Sequence, residues 1–209
     1  MTTQAPKKFP LFPVLIGIGV IALIATVILT MDTAGVTEEG EFGTPQVTGN
    51  ALPAATGGTD PALGFVIPEV VGTDFDGTEV RIANDGRPKI IIFLAHWCSH
   101  CQAEVPIVRE WIEAGNLPEG LDLIAVATST SSVRVNFPPS EWLEGENWNV
   151  PTIVDDTTYS VGSAFGLDAF PFWVFVNPDG LVAGRTSGEL PTETISEIAA
   201  TLVAMAPAG

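Results

Sequence analysis

The sequence reads as an α/β protein: a mixed central sheet flanked by helices, preceded by one N-terminal transmembrane helix. Three observations carry that expectation. Apolar runs at 89–95 (KIIIFLA), 121–127 (LDLIAVA) and 172–176 (FWVFV) show no sustained polar alternation, as strands covered on both faces do. Segments with helical spacing of apolar residues lie between and after these runs. From Phe9 to Met31 no residue is charged.

The elements follow in chain order. Residues 1–8 read as a short cytoplasmic tail and 9–31 as the anchor, whose heart at 11–30 is long enough for the ~30 Å bilayer core at ~1.5 Å per residue. Pro10 and Pro13 fall in its first turn, where a missing N–H costs least. The alternative is a cleaved secretory signal, but the run exceeds the usual apolar core of ~7–15 residues. Lys7 and Lys8 precede the span and Asp32, Glu38, Glu39 and Glu41 follow it. The basic flank stays cytoplasmic, so the rest is expected outside the cytoplasm, at the cell membrane. Residues 32–62, rich in Thr, Gly, Pro, Ala and Glu, read as a flexible tether. One domain, 63–209, is left, long enough for a core without staples.

Within that domain Asp76-Gly77 marks a turn between short strands, and 89–95 is the central strand. Residues 99–114 form a helix with Val105, Val108, Trp111 and Ile112 on one face, kinked at Pro106. Then come a strand at 121–127, a short strand at 152–154, a helix near 157–165 and a strand at 172–176. Asn177-Pro178-Asp179-Gly180 turns the chain into a strand at 181–186, and Pro191 opens a last helix to Ala204. Residues 129–150 hold Phe137, Trp142 and Trp148; they read either as an ordinary connection with its aromatics in the core or as an insertion shaping access to a site.

Composition excludes several functions. The chain holds 8 Lys and Arg against 25 Asp and Glu, a formal net charge of −17, so no nucleic-acid partner is expected. Two cysteines rule out a multi-disulfide scaffold.

The chemistry concentrates in Trp97-Cys98-Ser99-His100-Cys101, after a buried strand and at the start of a helix. Two cysteines three residues apart on a first helical turn can close a small disulfide ring. Free N–H groups and the helix dipole at that end favour a thiolate, the nucleophilic form. Cys98 is therefore the expected attacking thiol and Cys101 the resolving one. The rival uses are weaker. Structural zinc wants four ligands, and His96, Cys98, His100 and Cys101 all lie within six residues. Haem attachment needs His after the second cysteine, where Gln102 stands. A copper carrier lacks a distant His. An inert disulfide closing so short a loop is a poor staple. Thiol exchange needs no cofactor, and none is expected. Glu104 is either a solvated helix carboxylate or a buried group that raises thiol pKa values and relays the Cys101 proton. His100, as imidazolium, would pull the other way. His96 reads as a surface neighbour without a role.

FLAHWCSHCQAEVP resembles the thioredoxin superfamily, and most of all its membrane-anchored, extracytoplasmic TlpA/ResA-like branch, with WCxxC followed by ExP. The lead-in PEVVGTDFDGTEV, Phe170-Pro171 before a strand, and the NPDG turn extend the likeness over about 63–204. The resemblance implies a thioredoxin-like sheet and a thiol–disulfide oxidoreductase with Cys98, Cys101 and Glu104 catalytic. It implies Pro171 as the cis-proline facing the active-site disulfide, with Phe170 offering backbone groups to an extended substrate. Trp97 packs beside the sulfurs, and His100 joins the substrate-binding set. Where thioredoxins carry a buried acid six residues before the first cysteine, this chain has Ile92. The implied partners are thiols and disulfides of exported proteins, the haem-binding cysteines of apocytochrome c among them, and a membrane electron-transfer or thiol-oxidising protein. CSHC is also similar to the motif of DsbA-type oxidases. Oxidase and non-catalytic binding module are therefore the rival readings.

Overall fold

The computed structural model describes residues 41–55 and 58–205. The anchor at 9–31 lies outside the described residues; among those described, no helix is long and apolar enough to cross a membrane. The elements are β1 (Gln46–Thr48), β2 (Glu69–Thr73), β3 (Glu79–Ile82), β4 (Lys89–Leu94), α1 (Ser99–Glu113), β5 (Asp122–Ala127), α2 (Pro139–Gly145), β6 (Thr152–Val154), α3 (Ser160–Ala164), β7 (Phe172–Val176), β8 (Val182–Ser187) and α4 (Thr192–Ala204).

A five-stranded sheet has the order β6-β5-β4-β7-β8. β4, β5 and β6 run parallel, while β7 and β8 pair antiparallel, so the sheet is mixed as expected. Every residue of β4 is buried because the strand is central and covered on both faces. Alternate residues serve two cores. Ile90, Ile92 and Leu94 pack with Val105, Val108 and Trp111 of α1 and with Ile195, Ala199 and Leu202 of α4. Ile91 and Phe93 pack with Val161 and Ala164 of α3 and with Val70 and Ile82 of the strands β2 and β3. Helices do lie on both faces, but a second, three-stranded antiparallel sheet, β1-β2-β3, shares the second one. α1 runs through Pro106, as the expected span of 99–114 has it.

The turns follow their residues. Gly77 and Gly180 take positive φ of 86° and 73°, and the Asn177 side chain accepts N–H bonds from Asp179 and Leu181.

The tether reading is corrected from residue 41 onward. β1 pairs with β2, and Leu52 and Ala62 are buried. Glu41 accepts bonds from the Ser140 N–H and hydroxyl at the start of α2. Asp60 holds Arg185 of β8, whose side chain is fully buried, through three N–H···O contacts, while the Arg185 guanidinium also donates to the Phe165 carbonyl at 2.7 Å. Composition misjudged the segment because it folds onto a finished domain and needs few large apolar residues of its own. The guanidinium holds the Asp60 carboxyl below the usual range, burial opposing. Asp60→Asn should leave a buried cation unpaired and cost about 3 kcal/mol. Urea unfolding of the variant measures this, and a loss below about 0.5 kcal/mol would mark the segment as energetically a tether.

Candidate active site

β4 ends beneath the site, and Ala95, His96 and Trp97 carry the chain from it to α1. Cys98 is the N-cap of α1, extended at φ −80° and ψ 120°, with no side chain capping the helix and no acid in its first turn. The residue is half-buried, and its sulfur lies 3.9 Å from the Phe170 carbonyl oxygen. Phe170-Pro171 is cis and leads directly into β7, where the family resemblance puts it. The expected reacting pair and the expected docking edge are therefore adjacent.

Cys101 is one turn in and fully buried. Both cysteines are free thiols. The Ala95 N–H donates to the Cys101 sulfur at 3.4 Å. Burial nevertheless pushes this thiol far above its ordinary range, and neighbouring charge at Cys98 and Glu104 adds to the shift.

Glu104 is also fully buried, so the solvated reading of it is set aside. The Leu190 N–H donates to both carboxylate oxygens at 3.2 Å. Burial pushes its carboxyl up to about 7; the Leu190 bond opposes this and the Glu189 charge adds to it. Ile92 sits in the core on the same side of the sheet as Cys101.

His100 is exposed and turned to Glu189, with Nδ1 2.6 Å from Oε1. The expectation that His100, as imidazolium, favours the Cys98 thiolate thus meets a competing partner, invisible in sequence because Glu189 is 89 residues away. Trp97 donates from Nε1 to the Ser129 carbonyl at 2.7 Å, and its ring meets that of Phe170 edge-on.

His96 is a correction. It is buried, not a surface residue. The Ser131 N–H donates to its Nε2 at 3.1 Å, so the proton sits on Nδ1, which donates to the Val135 carbonyl at 2.7 Å. The neutral ring staples residues 129–137 beside the cysteines, and burial lowers its pKa, favouring that form. Residues 129–150 thus divide: Trp142 and Trp148 fill the core, as the connection reading has it, while 129–137 wraps the site. A second cis bond, Phe137-Pro138, which the sequence reading missed, joins the two parts.

The Glu104 shift sets a pH dependence. A carboxyl raised from 4.5 to about 7 on folding stabilises the fold fully below about pH 4.5, and this contribution is lost as pH rises through about 7. Glu104→Gln keeps the size and an acceptor for Leu190. It should gain on the wild type between pH 5 and 8 by up to about 3 kcal/mol. Denaturant unfolding of the reduced proteins measures this, and a difference that stays constant with pH contradicts the high carboxyl.

Comparison with known proteins agrees with this arrangement. Methylamine utilization protein MauD of Methylobacillus flagellatus is 26% identical over 128 residues, 60% of this chain and 57% of that protein. The chain thus matches just over half of MauD's length. Thiol-disulfide oxidoreductase ResA of Geobacillus thermodenitrificans is 24% identical over 140 residues, 66% of this chain and 77% of ResA, which bears out the ResA-like resemblance. The crystal structure of StoA from Bacillus subtilis superposes with a TM-score of 0.52 at 19% identity, over 71% of this chain and 98% of StoA, and carries the thioredoxin-like fold. The Redoxin family model matches residues 48–202, a span holding Cys98, Cys101, Glu104 and Pro171 together, and the chain belongs to that family.

Proposed function

We propose that the protein is a membrane-tethered thiol–disulfide oxidoreductase acting outside the cytoplasm, and that it reduces disulfides of exported proteins. One observation carries the reading: a half-buried cysteine at a helix mouth beside Phe170-Pro171, backed by a buried thiol and a buried carboxyl. The relatives' names support it.

An extended substrate lies along the edge at Phe170, and its disulfide meets Cys98. The Cys98 thiolate attacks one substrate sulfur. A Cys98–substrate bond forms, the substrate S–S bond breaks, and the first substrate thiolate leaves and takes a proton. Glu104 then takes the proton of Cys101, which attacks the Cys98 sulfur. The Cys98–Cys101 bond forms, the Cys98–substrate bond breaks, and the second substrate thiolate leaves and takes a proton. Two electrons have passed to the substrate. A separate membrane electron-transfer protein returns them, because a single span carries none.

The direction rests on Glu104 and Cys101. DsbA is oxidising because its reduced form is stabilised. Here burial, with the Glu104 carboxyl adding to it, disfavours charge on Cys101, so this sulfur lends the reduced form no such stabilisation. His100, the residue that favours the oxidase reading, is turned to Glu189.

Two measurements check this. The Cys98–Cys101 potential should lie nearer ~−270 mV than ~−120 mV, and a value at the upper end makes the protein an oxidase. Cys101→Ala should accumulate a mixed disulfide with an exported protein on Cys98. If no such adduct forms, and Cys98→Ser leaves the cellular phenotype unchanged, the binding-module reading replaces this one.

A further inference from the structure

Six Lys and Arg residues fall among the described residues. Five are paired with carboxylates: Arg81 with Glu79, Arg87 with Asp122, Lys89 with Asp85, Arg109 with Glu113 and Arg185 with Asp60. The sixth, Arg134, has no carboxylate partner among the described residues, in a chain of net charge −17. Its guanidinium lies over the Trp97 ring, 4.2 Å from the centroid. Trp97 precedes Cys98 and packs on Phe170, whose carbonyl faces the Cys98 sulfur. Among the described residues, the one Lys or Arg without a carboxylate partner is therefore placed at the reacting edge.

The placement is built. Four bonds hold the loop: Trp97 Nε1 to the Ser129 carbonyl, the Ser131 N–H to His96 Nε2, His96 Nδ1 to the Val135 carbonyl, and Asn136 Nδ2 to the His96 carbonyl. The Arg134 N–H closes a turn on the Ser131 carbonyl. Ser129 and Asn136 take positive φ of 55° and 59°, conformations that persist where surroundings fix them and that gather at ligand clamps. Arg134 itself is exposed, as are Val133 at 92% and Val135 at 65% on either side of it. Stacking on Trp97 leaves the N–H edge of a guanidinium free to bind a carboxylate in two bonds, and a pre-ordered loop reduces the entropy lost on doing so.

We propose that Arg134 is a specificity-determining residue that selects substrate segments carrying Asp or Glu within a few residues of the target cysteine. The proposal rests on the oxidoreductase reading above. In a strongly acidic protein such a segment is repelled at long range, so Arg134 sets which acidic segments are held at the edge.

The test uses the full-length protein, reduced, in detergent. The probes are ten-residue peptides with one cysteine blocked as its methyl disulfide. Glu, Gln or Lys is placed at each of the three positions on either side, and second-order reduction rates are read by mass spectrometry. At one position or more the Glu-to-Gln rate ratio should be about fivefold higher in the wild type than in Arg134→Gln. Arg134→Lys should keep part of that preference, and Arg134→Glu should turn it toward Lys. The excess of the wild-type ratio over that of Arg134→Gln, in which the long-range repulsion cancels, should shrink between 20 mM and 500 mM salt. Glu-to-Gln ratios equal in wild type and Arg134→Gln at every position, or an excess independent of salt, overturn the proposal. A Gln peptide reduced no faster by wild type than by Cys98→Ser overturns instead the oxidoreductase reading beneath it.

Discussion

The site depends on a carboxyl buried against a buried thiol with a single backbone N–H for company. Glu104 and Cys101 are both fully removed from water, and Leu190 supplies the donor that the described contacts give Glu104. A charge there is costly, so the proton is shared out by burial rather than by solvent. The carboxyl is held near neutrality and the thiol stays protonated. In the exchange proposed above, a proton passing from Cys101 to Glu104 makes Cys101 a nucleophile once the mixed disulfide has formed.

The fold supplies this burial from parts distant in sequence. The central strand β4 delivers the cysteines to its C-terminal end. α4 and the loop following β8 close over α1, and the Leu190 amide reaches Glu104 across 86 residues. The chain entering β7 brings Phe170-Pro171 to the Cys98 sulfur. Three segments distant in sequence thus converge on one helix turn, in a sheet of mixed direction: β5 and β6 run with β4 while β7 runs against it.

Much of this was legible in sequence. The apolar runs announced β4, β5 and β7 because strands buried on both faces have no polar residues to spare. The CSHC spacing placed both sulfurs on one turn. What escaped were the long-range polar contacts. Nothing local marks Glu189 as the partner of His100, or Leu190 as the donor to Glu104. His96 looked like a surface imidazole, and its burial follows from the 129–137 loop folding over it. Residues 41–62 looked like a tether because their hold is ionic and backbone-borne: β1 pairing, the Asp60–Arg185 pair and Glu41 at α2 leave no hydrophobic pattern to read.

The account turns on Glu104 being the base that frees Cys101. The direct measurement is the rate at which Cys101 resolves a preformed mixed disulfide on Cys98, followed by stopped flow from pH 5 to 9 in wild type and Glu104→Gln. The account predicts a wild-type rate that rises with a midpoint near 7, set by the carboxyl, and a variant at least about tenfold slower at pH 8 that lacks this midpoint. Superimposable profiles for the two proteins would contradict it.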